Sequence, residues 1–122
     1  MGRNSSNGVL FSIVSVTTGM VRTYDKLVRD HIPDIIEEND ERPVTHVADS
    51  DEHERRLAEK LDEEVAEFRE SGEVMELADV LEVVYALAEG KGISPDELER
   101  LRAEKAAERG GFDDGIVLER VE

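Results

Sequence analysis

Residues 63–90, EEVAEFRESGEVMELADVLEVVYALAEG, carry the apolar residues of a helical core, yet carboxylates interrupt them repeatedly. Ser71 and Gly72 break the apolar pattern, so the stretch predicts two helices joined by a tight turn. We expect the first helix over 51–70 and the second over 73–89. Helices joined by so short a connection pack antiparallel. The stretch therefore predicts an all-α fold built around a helical hairpin.

The sequence before this hairpin predicts one short helix and a loop. Pro33 stands where a first helical turn can begin, and Asn39 can end that helix. Residues 41–50 predict a loop or a brief extended piece. Asp49 or Ser50 is the candidate N-cap of the 51–70 helix, because a side-chain oxygen there can accept a free backbone N–H.

The sequence after the hairpin predicts a third long helix and a tail. Ser94 is the expected N-cap and Pro95 the first helical residue. Gly110 should end this helix after Arg109, since glycine tolerates the conformation of a C-cap. Residues 115–122, GIVLERVE, show a partial alternation of apolar and polar residues, which predicts a short extended tail that could pair as a strand. The expected architecture is an antiparallel helical bundle.

Composition limits the possible partners. The 122 residues fit one domain, and 31 acidic against 15 basic residues give a formal charge of −16. Such a surface repels nucleic acid and anionic lipid, so neither is an expected partner. No cysteine is present, which excludes disulfides and thiolate metal sites. Abundant acids with only four lysines are typical of proteins kept soluble in concentrated salt, which suggests a salt-adapted, halophile source.

The N-terminal segment needs a separate interpretation. Residues 8–20, GVLFSIVSVTTGM, are apolar and superficially resemble the central part of a signal peptide. They are too few to span a bilayer, and no convincing cleavage site follows them. We therefore interpret residues 1–23 as an extension outside the core, place the domain at 24–122, and expect a cytoplasmic protein.

Helical projection places several carboxylates beside apolar side chains in the 51–70 helix. A helix turns about 100° per residue, so positions three and four apart share a face. Glu64 and Glu67 lie on the flank of the apolar stripe, whereas Glu63 points mostly away. The stripe consists of Leu57, Leu61, Val65 and Phe68.

The 73–89 helix repeats the pattern. Glu76 projects inside its apolar arc, Asp79 lies close to the edge of that arc, and Glu82 is on the polar side. The arc consists of Leu77, Val80, Leu81, Val83, Val84 and Leu87. Each helix of the hairpin thus presents one pair of acids, spaced i and i+3, next to its core residues.

These acids have two explanations. Helices of a very acidic protein can show carboxylates near the apolar boundary as an ordinary solvated face. That explanation fits Glu76 poorly, because a carboxylate in an apolar arc loses several kcal/mol of hydration unless it is paired. A divalent cation resolves the difficulty, since Mg²⁺ prefers oxygen ligands and binds a few carboxylates together with substrate phosphates. We favour a metal site.

The spacing of the acids also resembles a known pattern. EEVAE (63–67), followed after eight residues by ELAD (76–79), is similar to the E-E-x-x-E … E-x-x-D signature of the MazG-like all-α nucleoside triphosphate pyrophosphohydrolases. KLVRDHIP (26–33) and KAAERGGF (105–112) resemble the opening and closing motifs of the phosphoribosyl-ATP pyrophosphohydrolase-like subgroup. His31 stands where that subgroup usually has lysine.

The resemblance implies roles for the acids. It makes Glu64, Glu67, Glu76 and Asp79 the metal ligands, with Glu64 and Glu63 as catalytic residues and Glu63 supporting or orienting a water molecule. The implied cofactor is Mg²⁺, with Mn²⁺ as a possible substitute. The implied reaction is hydrolysis between the α and β phosphates of a nucleotide, which releases pyrophosphate and a monophosphate.

Basic residues are candidates for binding the substrate phosphates. Lys105 and Arg109 share a face of the third long helix, and Lys26 and Arg29 would do so if their segment were helical. Each could instead be a surface cation in an acidic protein, although we favour phosphate contact for Arg29, Lys105 and Arg109. Asp30 could pair with Arg29 or cap the helix at Pro33.

Three functions remain open at this point. The leading one is a nucleotide pyrophosphohydrolase, with house-cleaning of noncanonical nucleotides as one role. The second is phosphoribosyl-ATP hydrolysis in histidine biosynthesis, and the third is a non-catalytic acidic interaction module. The 73–89 helix is apolar around most of its circumference, so we also expect a homodimer, or a higher homo-oligomer, that buries it further.

Overall fold

The computed structural model describes residues 21–122, which contain four helices and, within that range, no strand. They are α1 (Ile32–Glu38), α2 (Ser50–Ser71), α3 (Val74–Gly90) and α4 (Pro95–Arg109). The predicted all-α class is confirmed. The helices α2 and α3 form the hairpin that carries most of the tertiary packing, and α4 touches mainly α3.

Capping residues explain where α2 begins and ends. The Asp49 side chain accepts a hydrogen bond from the Glu52 backbone N–H at 2.8 Å, so Asp49 is the N-cap among the two predicted candidates, Asp49 and Ser50. At the other end Gly72 has φ 69°, and its N–H donates to the Phe68 carbonyl at 2.7 Å. This left-handed residue turns the chain within two residues, so α3 returns along α2.

The boundaries of α4 also follow local sequence signals. Ser94 Oγ accepts the Glu97 backbone N–H at 3.1 Å, and Pro95 occupies the first helical position. Gly110 follows the helix with φ 84°. No residue of α4 is buried, so this helix lies on the outside of the described chain.

The apolar core of residues 21–122 is small. Its buried apolar side chains are Ile32, Leu57 and Val83. Within the predicted stripe of α2, Leu57 is confirmed as buried, whereas Val65 is exposed. A core of this size is less than a domain normally needs, so a large part of the apolar surface remains available for contacts with another chain.

The helix α3 has two apolar faces rather than one arc. Glu76, Asp79 and Val83 are buried, whereas Leu77 and Leu81 are 45% and 47% exposed. At about 100° per residue, the two exposed leucines lie opposite the buried face. The sequence interpretation placed Leu77 and Leu81 in the same arc as Val83, and the structure separates them.

The segments before α1 and after α4 contain no helix within the described residues. Residues 1–20 of the expected extension lie outside the described residues, while Arg22 forms a 2.8 Å ion pair with Glu41. Residues 116–122 are exposed and have no regular secondary structure, so the strand pairing suggested for the tail is not seen. None of the helices between residues 21 and 122 has the length and apolarity to cross a membrane.

Candidate metal centre

Three buried carboxylates meet between α2 and α3. Glu64 of α2 and Glu76 and Asp79 of α3 each offer one oxygen, and these oxygens all lie within 4.8 Å of one another. The three residues are only 1%, 0% and 6% exposed. The i, i+3 spacing puts Glu76 and Asp79 on one side of α3, and the tight hairpin brings that side against Glu64. We call these three residues the acidic cluster.

Lysine side chains from two segments surround the α2 side of the acidic cluster. Lys60 Nζ lies 3.2 Å from Glu64 Oε2 and 3.4 Å from Glu63 Oε1. Lys26 Nζ donates to Glu63 Oε2 at 3.0 Å. Burial raises the pKa of the Glu63 carboxyl, but the hydrogen bond from Lys26 and the charge of Lys60 outweigh burial, so its net pKa is lowered. Glu63 therefore stays ionised beside the cluster.

An arginine reaches the α3 side. Arg29 lies in the segment before α1, and its Nη2 donates to Asp79 Oδ1 at 2.8 Å. The Asp79 side chain is nearly buried, while the Arg29 side chain is 45% exposed. One part of the guanidinium thus touches the cluster while its other donors face the surface.

The donor set of the acidic cluster fits a hard divalent cation. All its ligand atoms are carboxylate oxygens, which Mg²⁺ prefers. Glu64 Oε1 is buried and accepts no hydrogen bond within the described chain. A buried carboxylate oxygen left without a donor is costly, and a cation at this point would remove that cost. The cluster could therefore hold a metal ion.

A comparison with protein-family models bears on the domain that carries the acidic cluster. Residues 28–105, more than half of the chain, match the family model described as phosphoribosyl-ATP pyrophosphohydrolase. The chain belongs to this family. No curated protein and no solved structure gives a significant match. The resemblance seen in the sequence motifs is confirmed, and phosphoribosyl-ATP pyrophosphohydrolases are hydrolases of a pyrophosphate bond.

The match to the phosphoribosyl-ATP pyrophosphohydrolase family encloses the whole acidic cluster. Of the four predicted ligands, the structure brings together Glu64, Glu76 and Asp79. Glu67 is half-buried on α2 and stands outside this group of three. Its role as a fourth ligand stays a prediction.

The structure changes the interpretation of Glu63. Helical projection pointed it away from the core, but the side chain is half-buried between Lys26 and Lys60. The reason is that residues 24–31, which are not helical, lie beside α2 and cover this position. An isolated helical wheel does not include such a segment.

The four predicted phosphate-binding residues fall into two groups. Lys26 and Arg29 do not share a helical face and instead reach Glu63 and Asp79. Arg29 thus pairs with Asp79 rather than with Asp30. Lys105 and Arg109 are both exposed on α4, and among residues 21–122 neither bonds to the acidic cluster.

Lys60, to which no role was assigned from the sequence, contacts Glu64 of the acidic cluster. Its distance of four residues from Glu64 is the spacing of an intrahelical ion pair, so a signal was present. The contact of Arg29 with Asp79 had no such signal, since the two residues are 50 positions apart.

A further arginine anchors the segment that carries Lys26 and Arg29. Arg56 of α2 donates to the Asp25 carbonyl at 2.8 Å and to Asp25 Oδ1 at 2.9 Å. Asp25 has φ 47°, a conformation that aspartate tolerates but that the surrounding contacts must hold. Arg56 also donates to Glu52 at 2.9 Å. Hydrogen bonds with His46 and Arg56 lower the pKa of the Glu52 carboxyl.

We expect Arg56→Met to loosen residues 24–31 because it removes both bonds to Asp25. Hydrogen exchange followed by mass spectrometry should show several-fold faster exchange in this segment, with little change in α3. Arg55→Met is the matched control, since Arg55 is exposed and, within residues 21–122, pairs with Glu59 at 3.5 Å. Equal exchange in the two variants would show that Arg56 does not hold the segment.

Proposed function

We propose that this protein is a Mg²⁺-dependent nucleotide pyrophosphohydrolase that cleaves the bond between the α and β phosphates of a nucleoside triphosphate or related nucleotide. The products are a nucleoside monophosphate and pyrophosphate. The observation that carries the proposal is the buried acidic cluster inside a pyrophosphohydrolase family domain. Within the described chain, Glu64 Oε1 of this cluster accepts no hydrogen bond. Mn²⁺ should substitute for Mg²⁺ because it accepts the same oxygen ligands.

The acidic residues would have two different roles, metal binding and orientation of the attacking water. Glu64, Glu76 and Asp79 would hold the ion, with Glu67 as the fourth ligand. The bound ion would neutralise phosphate charge and lower the pKa of a coordinated water. Glu63 stays ionised between Lys26 and Lys60, so it can accept a hydrogen bond from the attacking water and orient it.

The basic residues would bind the polyphosphate. Acidic side chains alone repel such a substrate, and cations must offset that repulsion. Arg29 has guanidinium donors at the surface next to Asp79, and Lys26 is only partly covered. Lys105 and Arg109 would reach the phosphates from α4.

Two substrate classes follow from the family and the site. A canonical or noncanonical nucleoside triphosphate is the first. Phosphoribosyl-ATP is the second, and the matched family description favours it. Both contain the same α–β anhydride, so they share the chemistry of the cluster.

A pyrophosphate-release assay over a nucleotide panel tests the proposal. The panel contains canonical triphosphates, oxidised and deaminated triphosphates, and phosphoribosyl-ATP, each with Mg²⁺ and with EDTA. We expect release from at least one class with Mg²⁺ and none with EDTA. Failure on every substrate would overturn the proposal and favour a non-catalytic acidic interaction module.

We expect Arg109→Ala to raise KM about tenfold, the effect of losing one charge-assisted hydrogen bond to phosphate. Mg²⁺ affinity should be nearly unchanged, because Arg109 does not touch the acidic cluster. Arg102→Ala is the control on the same helix, since Arg102 pairs with Glu99 at 2.7 Å. A loss of Mg²⁺ binding in Arg109→Ala would instead make Arg109 a partner of the carboxylates.

A further inference from the structure

Cations of this chain already contact Glu64 and Asp79, which are members of the acidic cluster. Lys60 Nζ lies 3.2 Å from Glu64 Oε2, and Arg29 Nη2 lies 2.8 Å from Asp79 Oδ1. These two carboxylates are among those that would bind a metal ion. The Lys60 side chain is only 12% exposed, so its ammonium lies in a largely covered environment. Interactions between charges are stronger there than in water.

Three ionised carboxylates cannot share a buried site without compensating charge. Their oxygens lie within 4.8 Å of one another, a distance at which like charges raise each other's free energy strongly. A metal ion would supply that compensation when bound. Within residues 21–122, Lys60 and Arg29 are cations that contact the cluster directly.

We infer that Lys60 and Arg29 are internal counter-cations that compete with the metal for Glu64 and Asp79. They stabilise the cluster when no metal is bound, and metal binding weakens both ion pairs. This inference rests on the metal site of the proposed function. It makes Lys60 a charge that competes with the metal and does not contact the substrate, whereas Arg29 also keeps the substrate contact proposed above.

Competition has a thermodynamic consequence of definite sign. If the metal weakens the pair between Lys60 and Glu64, then the pair weakens metal binding by the same factor. Removing the Lys60 charge should therefore tighten metal binding and destabilise the metal-free protein. A supporting role, in which Lys60 holds Glu64 in the binding geometry, predicts weaker metal binding instead.

Titration of Mg²⁺ alone into Lys60→Met, followed by calorimetry, distinguishes these roles. Methionine keeps most of the length of the lysine side chain but removes its charge. We expect Mg²⁺ to bind about tenfold more tightly than to the parent protein, within the usual range of coupling between two sites. In EDTA the variant should melt at a lower temperature, and saturating Mg²⁺ should raise its Tm more than that of the parent.

Removing any lysine charge could raise Mg²⁺ affinity through long-range electrostatics, and this effect must be separated from direct competition at the Glu64 carboxylate. In about 1 M KCl the screening length is about 3 Å, so distant charges contribute little. Lys91→Met is the matched control, because Lys91 is exposed and pairs with Glu54 at 2.6 Å. We expect this control to bind Mg²⁺ like the parent in the same salt.

A second measurement keeps the test valid if Lys60→Met fails to fold. The chain has only four lysines, Lys26, Lys60, Lys91 and Lys105, so ¹³C-methylated lysines give a simple spectrum. On addition of Mg²⁺ to the parent protein, the Lys60 methyl signal should shift as its ion pair weakens. The Lys91 signal should stay in place.

The outcomes separate the inference from the function on which it rests. Parent protein that binds Mg²⁺, with equal or weaker binding by Lys60→Met, would overturn the inference alone. A Lys60 signal that does not respond to bound Mg²⁺ would do the same. Parent protein that binds no Mg²⁺ would overturn the proposed metal site and the inference with it.

Discussion

Glu76→Gln should lower Mg²⁺-dependent hydrolysis at least about a hundredfold, because loss of even the outer partners of a metal site typically costs 10- to 100-fold. Glu76 is fully buried and belongs to the acidic cluster. Glutamine has nearly the same volume, so the packing of α3 against α2 should survive. Circular dichroism should show an unchanged helix content.

The same substitution should shrink the rise in Tm that Mg²⁺ gives, because the loss of a ligand weakens binding of the ion to the folded protein. Comparing the Tm in EDTA with the Tm in saturating Mg²⁺ separates a ligand from a residue that only supports the fold, since loss of the latter would lower both values alike.

Glu82→Gln is the matched control, since Glu82 lies on α3 but is exposed. We expect hydrolysis and Mg²⁺ affinity close to those of the parent. Equal losses in Glu76→Gln and Glu82→Gln would mean that the buried face of α3 is not the metal site.

The second large effect concerns assembly. Light scattering in concentrated salt should give the mass of a homodimer or a higher homo-oligomer rather than of one chain. The exposed face of α3 presents Val74, Leu77 and Leu81 on the side opposite the acidic cluster. Residues 21–122 bury only three apolar side chains, so a second copy would supply the missing apolar contacts. Salt screens the repulsion between chains of formal charge −16.

Leu81→Glu should shift this assembly to monomer, because it places a charge in the centre of the expected interface. Activity should fall with dissociation if a nucleotide contacts both subunits. Val44→Glu is the control, since Val44 is more exposed than Leu81 but lies in the loop before α2. A parent protein that is monomeric, stable and active in the same salt would refute the dimer.

Several features were determined by the sequence alone because their causes are local. The N-cap at Ser94, the N-cap at either Asp49 or Ser50, and the hairpin turn at Gly72 depend on residues within four positions of each other. The burial of Glu76 followed from helical periodicity, which needs only the residues of one helix. The acid spacing was sufficient for the family resemblance.

Only the tertiary structure decided how these elements meet. It selected Glu64, Glu76 and Asp79 as the group that converges, paired Arg29 with Asp79 across 50 positions, and enclosed Glu63 between two lysines. It also divided the apolar surface of α3 into a face toward α2 and an exposed face. Helical periodicity gives the direction of a side chain around its own axis. The partner in that direction depends on how other segments pack, and residue spacing carries no information about that packing.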